Sequence, residues 1–338
     1  MNKLAQTATP PLLEVRNLSL RFNKQDQLAV DRVSFSIKQG STLGLVGASG
    51  AGKSSIARAI VRLLEPESGD ILFNGENIFK MTQDQLRATR QRIQLVFQEP
   101  SASLSPRRTV EQILMEPLTH FAIGEPGDRH HKVRRILHTV GLDHDVLQRY
   151  PHQFSSGQQQ RIAIARALVT NPKLLIADEA VASLDVSIQA QILQLIQSLQ
   201  KEHGITFLFI SHDLAVIRQI ADDVAVMYRG QLLEQSPADI FFSEPAHPYS
   251  EALLSFAGDE IPGHLAREKW YLEHGKATED IHSACVFAGN CPKKIPVCSQ
   301  LEPASSRISA KNQNALQPQR VKCHLYDEAK NHDEQKNR

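Results

Sequence analysis

The stretch Gly47-Ala-Ser-Gly-Ala-Gly-Lys-Ser54 lies directly after the apolar run Leu43–Val46 and directly before the helix-forming run Ser55–Leu64. Its pattern, G-x-x-x-x-G-K-S, is that of a loop whose glycines let backbone N–H groups surround a polyphosphate. The helix that follows directs its positive end at the same charge. A Gly-rich turn can match these letters by chance, but the flanking strand and helix are the context that the motif requires. We therefore predict a nucleotide site formed by Gly47, Ala48, Ser49, Gly50, Ala51, Gly52, Lys53, Ser54 and Ser55.

A second apolar run, Leu174–Ala177, ends in the two acids Asp178 and Glu179. Such a run is typical of a buried parallel strand that carries acids to the carboxyl edge of a sheet. Downstream of a phosphate-binding loop, the pair gains a catalytic interpretation. We expect Lys53 to reach the β- and γ-phosphates, Ser54 and Asp178 to bind Mg²⁺, and Glu179 to act as general base for the attacking water.

Shortly before that strand, the segment Phe154-Ser-Ser-Gly-Gln-Gln-Gln-Arg161 leads into an apolar helix-forming run. It resembles the L-S-G-G-Q signature of ABC-type ATPases. The resemblance implies that Ser155, Ser156, Gly157 and Gln158 bind an ATP molecule held by the phosphate-binding loop of a partner subunit, with Ser155 and Gly157 at its γ-phosphate. Departures from the family pattern are Phe154 in place of Leu, Ser156 in place of the first Gly, and Ala180 in place of the Pro after the acidic pair.

Other family positions occur in the expected order along the chain. Gln98 resembles the glutamine that senses Mg²⁺ and water, and Asp185 ends a loop, Ser183-Leu-Asp185, that resembles the one crossing the dimer interface. His212 resembles the switch histidine at the γ-phosphate. Phe22 occupies the position of an aromatic that stacks on adenine; an edge-strand core Phe is the competing interpretation.

The composition is that of a globular intracellular enzyme: 338 residues, 41% hydrophobic, 22% charged, with a formal net charge of +1. This balance lacks the basic excess of a nucleic-acid-binding protein. No apolar run approaches the roughly 18 residues of a membrane-spanning helix, and the polar N-terminal residues do not resemble a secretory signal. We therefore expect a cytoplasmic protein, and the resemblance to ABC-type ATPases implies that it is bound peripherally, through a partner, on the cytoplasmic face of the inner (plasma) membrane.

The arrangement of predicted elements indicates an α/β fold. Strands near 12–22, 33–37 and 70–73 predict an antiparallel β-subdomain, and residues 174–228 alternate strands with helices, which predicts a parallel sheet covered on both faces. The resemblance implies a P-loop ATPase of ABC type that spans residues 11–256, with a helical subdomain at about 99–165.

The segment Phe241–Leu254 contains His-Pro-Tyr-Ser-Glu-Ala-Leu-Leu, similar to the H-P-Y-T-x-A-L-L element of ATP-binding subunits from dipeptide and oligopeptide importers. That family also serves nickel, opines and cationic peptides. The segments Ser103–Val110 and Tyr150–Gln153 resemble the second of the two nonidentical ATPases of such importers. The element has no visible chemistry of its own, and we interpret it as a docking helix.

The resemblance implies a set of partners. Because one subunit's phosphate-binding loop and signature face different nucleotides, two ATPase domains must pair head to tail, and a second, nonidentical ATPase subunit is expected. Two transmembrane permease subunits and a periplasmic or extracellular substrate-binding protein complete the system. Nickel or metallophore transport, transport of cationic antimicrobial peptides, and a non-transport ABC ATPase are the alternatives.

All four cysteines, Cys285, Cys291, Cys298 and Cys323, lie in a C-terminal extension at 257–326, before a tail at 327–338 that is predicted to be disordered. Four thiolates are the full complement for a [4Fe–4S] cluster or a tetrahedral zinc site. The spacing is not that of a zinc ribbon and resembles the cysteine-bearing tail of peptide importers, which favours the iron–sulfur cluster; Zn²⁺ is the alternative. His324 is a possible substitute ligand.

Overall fold

The computed structural model describes residues 10–21, 28–182, 184–256, 284–308 and 319–327. Within these ranges, no helix is both long and apolar enough to cross a membrane. The strands are β1 (Leu13–Arg21), β2 (Leu28–Ile37), β3 (Thr42–Val46), β4 (Ser68–Phe73), β5 (Glu76–Asn77), β6 (Ile93–Val96), β7 (Leu174–Asp178), β8 (Thr206–Ser211), β9 (Asp223–Tyr228), β10 (Gln231–Pro237), β11 (Ser305–Ile308) and β12 (Gln319–Lys322). The helices are α1 (Lys53–Ile60), α2 (Gln83–Arg92), α3 (Pro100–Ser103), α4 (Val110–His120), α5 (Pro126–Thr139), α6 (Ser156–Leu168), α7 (Val186–His203), α8 (Leu214–Ile220), α9 (Ala238–Ser243) and α10 (Pro248–Phe256).

The first sheet is antiparallel, with strand order β2-β1-β4-β5. Leu13 of β1 pairs with Ile37 on one side and with Phe73 on the other, and all three side chains are buried. Between β4 and β5, Asn74 and Gly75 have φ values of 51° and 81°, which suit a tight two-residue hairpin turn. The predicted antiparallel subdomain is thus confirmed.

The second sheet contains eight strands in the order β11-β12-β10-β9-β3-β8-β7-β6. Its five strands from β9 to β6 are parallel to one another. Along β8, Phe207 and Phe209 enter one hydrophobic cluster, while Leu208 and Ile210 enter the other. Since alternate side chains of a strand point to opposite faces, the sheet separates two cores and both faces are covered. The parallel sheet predicted from the alternating elements is confirmed.

Helices α3 to α6 lie between β6 and β7, in the region predicted to be helical. Thr109 begins α4 with a capping box, in which its side chain and that of Gln112 each accept a backbone N–H of the other residue. Helix α4 ends at His120, and α5 begins with Pro126 at its first position, where proline costs no hydrogen bond.

The C-terminal extension joins the core sheet, which no local sequence pattern predicted. Strand β12 pairs antiparallel with β10, placing Val321 opposite Glu234, and β11 pairs with β12 at the edge. The side chain of Glu234 is 1% exposed and accepts hydrogen bonds from the backbone N–H groups of Ala246 and His247 and from Gln319 Nε2. One buried carboxylate therefore links the core strand, the turn before α10 and the extension. Of the tail predicted to be disordered at 327–338, residues 328–338 lie outside the described residues.

Candidate nucleotide site

The backbone of the loop between β3 and α1 requires glycine at positions 47 and 52. Gly47 and Gly52 have φ values of 148° and 100°. A Cβ atom on Gly47 would lie 2.1 Å from the carbonyl oxygen of Met227, and one on Gly52 would lie 2.4 Å from that of Ala29. These contacts are far below van der Waals separation, so the loop's close packing on neighbouring backbone excludes any side chain at either position.

Lys53 begins α1, and its side chain turns back over the loop. Its Nζ donates to the carbonyl oxygens of Gly47 at 2.8 Å and Ala48 at 3.0 Å. Only 4% of the residue is exposed, and this burial lowers its pKa, against the opposing effect of the Glu179 and Asp178 charges. A buried ammonium held by carbonyl oxygens is a cation poised for stronger, anionic acceptors.

Ser54 and Asp178 meet although 124 positions separate them in the chain. Ser54 Oγ donates to Asp178 Oδ1 at 2.9 Å, because α1 starts beside the carboxyl end of β7. Burial raises the pKa of Asp178, while the hydrogen bond from Ser54 lowers it. A hydroxyl and a partly desolvated carboxylate in contact form a pair of hard oxygen ligands, the type that Mg²⁺ prefers.

Glu179 follows Asp178 with φ of 50°, an uncommon conformation for a non-glycine residue. Its backbone N–H donates to Ile210 O at 3.0 Å, which ties this turn to β8. As a result its carboxylate faces the residue after β8: Glu179 Oε1 lies 3.4 Å from His212 Nδ1, and the two side chains are 18% and 59% exposed. The structure therefore brings together the predicted base and the predicted switch histidine.

Gln98 is exposed and lies two residues beyond the end of β6, the edge strand that pairs with β7. The residues of the nucleotide loop differ in exposure. Ser49 and Gly50 are exposed, Ala51 and Ser55 are buried, and Ala48, Gly52 and Ser54 are intermediate. Two predicted positions, Phe22 and Ser183, lie outside the described residues.

The signature-like segment forms the start of α6. Ser155 is the cap residue, in a reciprocal capping box with Gln158, and both Ser155 and Ser156 are exposed. Gly157 is buried against α7, where a Cβ on this residue would lie 2.4 Å from Ile188 Cγ2. The α6 and α7 N-termini are therefore packed together at this glycine, and the extra side chain of Ser156 points to solvent within this chain.

Asp185 begins α7. Its carboxylate accepts from Ile188 N–H at 3.0 Å and from Ser187 Oγ at 2.8 Å, and these hydrogen bonds, the backbone one first, lower its pKa. As the cap residue it fixes the entry into α7, three positions before the side chain that covers Gly157. Asp185 and the signature-like segment thus belong to one local unit.

Tyr249 was missed by the motif-based reasoning. Its hydroxyl accepts a hydrogen bond from the backbone N–H of Ala48 at 3.2 Å, 201 positions away in the chain. The sequence offered no local signal for this contact, because the His247-Pro-Tyr249 element carries no recognisable chemistry and only the tertiary structure brings it to the loop.

The four cysteines of the extension are all described, and all are free thiols. Every pair among them is close enough for one thiol to influence the pKa of another; burial, followed by smaller effects that include these neighbours, raises the pKa of Cys291 and of Cys323 to about 11. In the part of the chain that the structure describes, no group of three or more His, Cys, Asp or Glu side chains is arranged to hold a metal ion. The predicted cluster has no support from that geometry and stays a prediction.

His324 has its own partners. Its Nδ1 lies 2.6 Å from Asp327 Oδ2 and its Nε2 lies 2.8 Å from Leu301 O. Because both ring nitrogens are engaged in this way, the side chain is a hydrogen-bonded link between two parts of the extension. The predicted role of His324 as a substitute metal ligand is not favoured by this arrangement.

Comparison with known families and sequences gives a consistent result. A model of the ABC transporter family matches residues 30–182, and a model described as oligopeptide/dipeptide transporter, C-terminal region, matches residues 233–298. The putative oligopeptide transport ATP-binding protein YkfD of Bacillus subtilis (strain 168) is 41% identical over 326 residues, which cover 94% of this chain and 97% of the relative. The oligopeptide transport ATP-binding protein AppF of the same organism is 44% identical over 309 residues, 89% of this chain and 90% of AppF.

Two solved structures resemble the fold. The dimeric ATP-binding cassette MJ0796, in a post-hydrolysis state bound to ADP and Pi, has a TM-score of 0.61 at 28% identity and covers 67% of this chain and 98% of its own. The structure of cbiO1 from Clostridium perfringens, part of the ABC transporter complex cbiONQ, has a TM-score of 0.62 at 29% identity and covers 76% and 99%. The similarity thus extends over almost the whole of each cassette.

Proposed function

The chain belongs to the ABC transporter family of ATP-binding proteins, and from that premise we propose that it is the ATP-hydrolysing subunit of a dipeptide or oligopeptide importer. The observation that carries the proposal is the convergence at one sheet edge of Lys53, the Ser54–Asp178 pair and the Glu179–His212 pair. Peptide transport is inferred from the relatives named for it and from the matching C-terminal region.

In the proposed ground state, Lys53 exchanges its carbonyl acceptors for oxygens of the β- and γ-phosphates, and the loop N–H groups bind the remaining charge. Ser54, Asp178 and Gln98 would hold Mg²⁺, which neutralises charge on the phosphates during transfer. The donor set fits, since a hydroxyl already contacts a buried carboxylate there.

The proposed chemical step is proton removal from a water molecule by Glu179. The turn at Glu179 is fixed to β8 by its backbone N–H, which holds the backbone of this residue at the end of β7. His212 lies 3.4 Å away and is mostly exposed. We propose that His212 orients Glu179 and the γ-phosphate, and that loss of these contacts after hydrolysis opens the site.

A second ATPase domain completes each site in the proposed assembly. The cap of α6 is exposed at Ser155 and Ser156, and a helix start of this kind can bind a phosphate presented by another subunit. A head-to-tail pair of nonidentical ATPases fits this surface. Within that pair, Ser156 in place of glycine adds a side chain where the backbone approaches phosphate, so we propose that the two sites are unequal.

The remaining parts of the proposed system are two transmembrane permease subunits and a periplasmic or extracellular substrate-binding protein. The chain would bind the permeases at the cytoplasmic face of the inner membrane, with residues near Gln98 and the helical region 99–165 forming the contact. Residues 257–326 form the proposed C-terminal extension. Substrate choice would lie with the binding protein and the permeases.

We also propose that the four cysteines of the extension hold a [4Fe–4S] cluster, with Zn²⁺ as the alternative. The support for this proposal is the type and number of donors: four free thiols in the extension, each near enough to another to affect its pKa, with Cys285 N–H donating to Cys298 O. Such a cluster would cross-link the turns of the extension. Because burial disfavours the thiolates, loading would release protons and would be weaker at low pH.

The transport proposal is tested by reconstituting the full chain with its permeases, partner ATPase and binding protein in liposomes. Dipeptides or oligopeptides are expected to stimulate ATP hydrolysis and to accumulate inside, and Lys53→Ala should abolish both. If only nickel or only a cationic peptide stimulates ATP hydrolysis, that substrate would take the place of dipeptides and oligopeptides in the proposal. ATP hydrolysis by a chain that never copurifies with permeases would support the non-transport alternative.

The cluster is tested by anaerobic purification followed by iron, sulfide and zinc analysis and an absorption spectrum. About four irons per chain with matching sulfide is the expected result. The variant Cys291→Ser should lose that iron, while Cys298→Ser tests a second ligand. One zinc per chain supports the alternative, and a metal-free chain rejects both.

A further inference from the structure

The His247-Pro-Tyr249 element, which has no chemistry of its own in sequence, reaches the nucleotide loop through one side chain. Tyr249 is 7% exposed, and its hydroxyl accepts the N–H of Ala48 at 3.2 Å. Ala48 is the second residue of the loop, and its N–H belongs to the peptide group that joins it to Gly47. The contact therefore acts on the loop's first peptide group.

The opposite end of that peptide group is held as well. The carbonyl oxygen of Gly47 accepts from Lys53 Nζ at 2.8 Å. The next carbonyl, that of Ala48, accepts from Lys53 Nζ at 3.0 Å and from Ala51 N–H at 3.2 Å. Tyr249 on the N–H side and Lys53 on the carbonyl side thus restrain one peptide group, and a rotation of that group would break both bonds.

This peptide group needs restraint because it follows a glycine. Gly47 has φ of 148°, and the carbonyl of Met227 occupies the space that a Cβ would need. A glycine reaches many backbone conformations at low cost, so the residue itself does not hold the loop in the one that directs its N–H groups inward. Binding of phosphate is strongest when those dipoles are already oriented.

Tyr249 itself is fixed by a chain of contacts. Its backbone N–H donates to His247 Nδ1 at 3.0 Å, and the His247 N–H donates to the buried Glu234 carboxylate at 2.8 Å. Its ring packs against Tyr228 and Phe287, with centroid distances of 4.7 and 5.3 Å. Phe287 lies two residues after Cys285, so the extension contributes to the wall that supports the tyrosine.

We propose that Tyr249 is a positioning residue of the nucleotide site: its hydroxyl holds the Gly47–Ala48 peptide group, so the C-terminal element is part of the ATP-binding structure and not only a docking helix. The inference rests on the proposed use of this loop for ATP. It gives the His-Pro-Tyr element a physical role that its sequence does not reveal.

The test compares Tyr249→Phe with Tyr228→Phe in the full-length chain. Both variants lose one hydroxyl from the same aromatic group; the Tyr228 hydroxyl accepts from Asn290 Nδ2 at 3.0 Å, whereas only the Tyr249 hydroxyl bonds the loop at Ala48. Loss of one hydrogen bond predicts about a 3- to 10-fold higher Kd for ATP in Tyr249→Phe. We expect KM for ATP to rise in parallel while kcat at saturating ATP is unchanged, and Tyr228→Phe to keep the wild-type Kd and KM.

Three results separate the possible failures. If Tyr249→Phe binds ATP as wild type does, the positioning role is wrong. If Tyr228→Phe weakens binding as much as Tyr249→Phe, the effect comes from packing and the role is again wrong. If Lys53→Ala leaves ATP affinity unchanged, the proposed use of the loop fails first, independently of Tyr249.

Discussion

The parallel core and the C-terminal extension bring functional side chains together in different ways. In the core, the nucleotide loop follows β3, Asp178 ends β7 and His212 follows β8, three neighbouring strands that run in the same direction. The topology alone places their carboxyl ends at one edge. In the extension, the cysteines lie in short turns and beside an antiparallel strand, where the sheet gives no common edge.

The two regions also differ in what holds them. Strands β3, β7 and β8 are buried at every position, so apolar packing on both faces dominates. The extension is attached by an aromatic group around Phe287 and by polar contacts such as Arg32 with Glu302 and Asn290 with Tyr228. Residues placed at the ends of parallel strands can therefore be predicted from local sequence patterns, whereas the contacts of residues placed in packed turns cannot.

The largest expected effect concerns the core. Glu179→Gln should lower ATP turnover about 10²- to 10⁴-fold, because the amide cannot accept a proton from water, while ATP binding persists. Phosphate release and equilibrium ATP binding measure the two quantities. Glu202→Gln, an exposed change near the end of α7, is the matched control and should keep full turnover. Undiminished hydrolysis in Glu179→Gln would remove this residue from the mechanism.

The next prediction tests the close packing of the core loop. In Gly47→Ala the new Cβ meets Met227 O, whereas Gly50→Ala places its Cβ where no atom lies within 4 Å. Both changes carry backbone strain, but only Gly47→Ala adds an overpacking cost of about 1–3 kcal/mol. Denaturant unfolding without nucleotide should show that difference. Equal free energies of unfolding for the two variants would contradict the assigned contact.

A third prediction concerns His247, where core and extension meet. Burial lowers its pKa to about 3, so the unfolded chain binds a proton between about pH 3 and 6.5 that the folded chain does not. Stability contributed by the neutral ring is therefore present above pH 6.5 and falls as the pH drops through that window, by up to about 1.4 kcal/mol per pH unit.

The variant His247→Asn isolates this contribution. Its free energy of unfolding should depend less steeply on pH than that of wild type between about pH 4 and 6.5. The pH dependence of stability must be compared between wild type and variant, because Asp223 affects it with the opposite sign: burial raises the Asp223 pKa to about 6. His203→Asn changes an exposed histidine and is the control. If the slope of unfolding free energy against pH is the same in His247→Asn as in wild type, His247 takes up a proton in the folded chain as readily as in the unfolded chain.

The smallest effect is expected at the polar link between the regions. Arg32 Nη2 lies 2.6 Å from Glu302 Oε2, but the two side chains are 57% and 31% exposed. Such pairs contribute about 0–1 kcal/mol, so Arg32→Gln, which leaves Glu302 paired with Lys322, should leave stability and protease resistance of the extension nearly unchanged. A larger loss would show that ion pairs, and not the aromatic group, hold the extension.

Much of the core was predictable because its signals are local. The loop glycines and the Asp178–Glu179 pair at a strand end each combine a residue type with an adjacent periodic run, and the parallel sheet then brings distant strand ends together. The assigned catalytic and binding roles stay predictions, but the meetings of Ser54 with Asp178 and of Glu179 with His212 follow from that topology.

The family, the α/β architecture and the candidate ATP site can be predicted from the amino-acid sequence, since each depends on short patterns and strand order. Two features emerge from long-range packing instead: the extension adds β11 and β12 to the core sheet, and Tyr249 contacts Ala48, 201 positions away. Hydrogen bonds and ring contacts between distant segments depend on side-chain geometry after packing, and no local periodicity encodes that geometry.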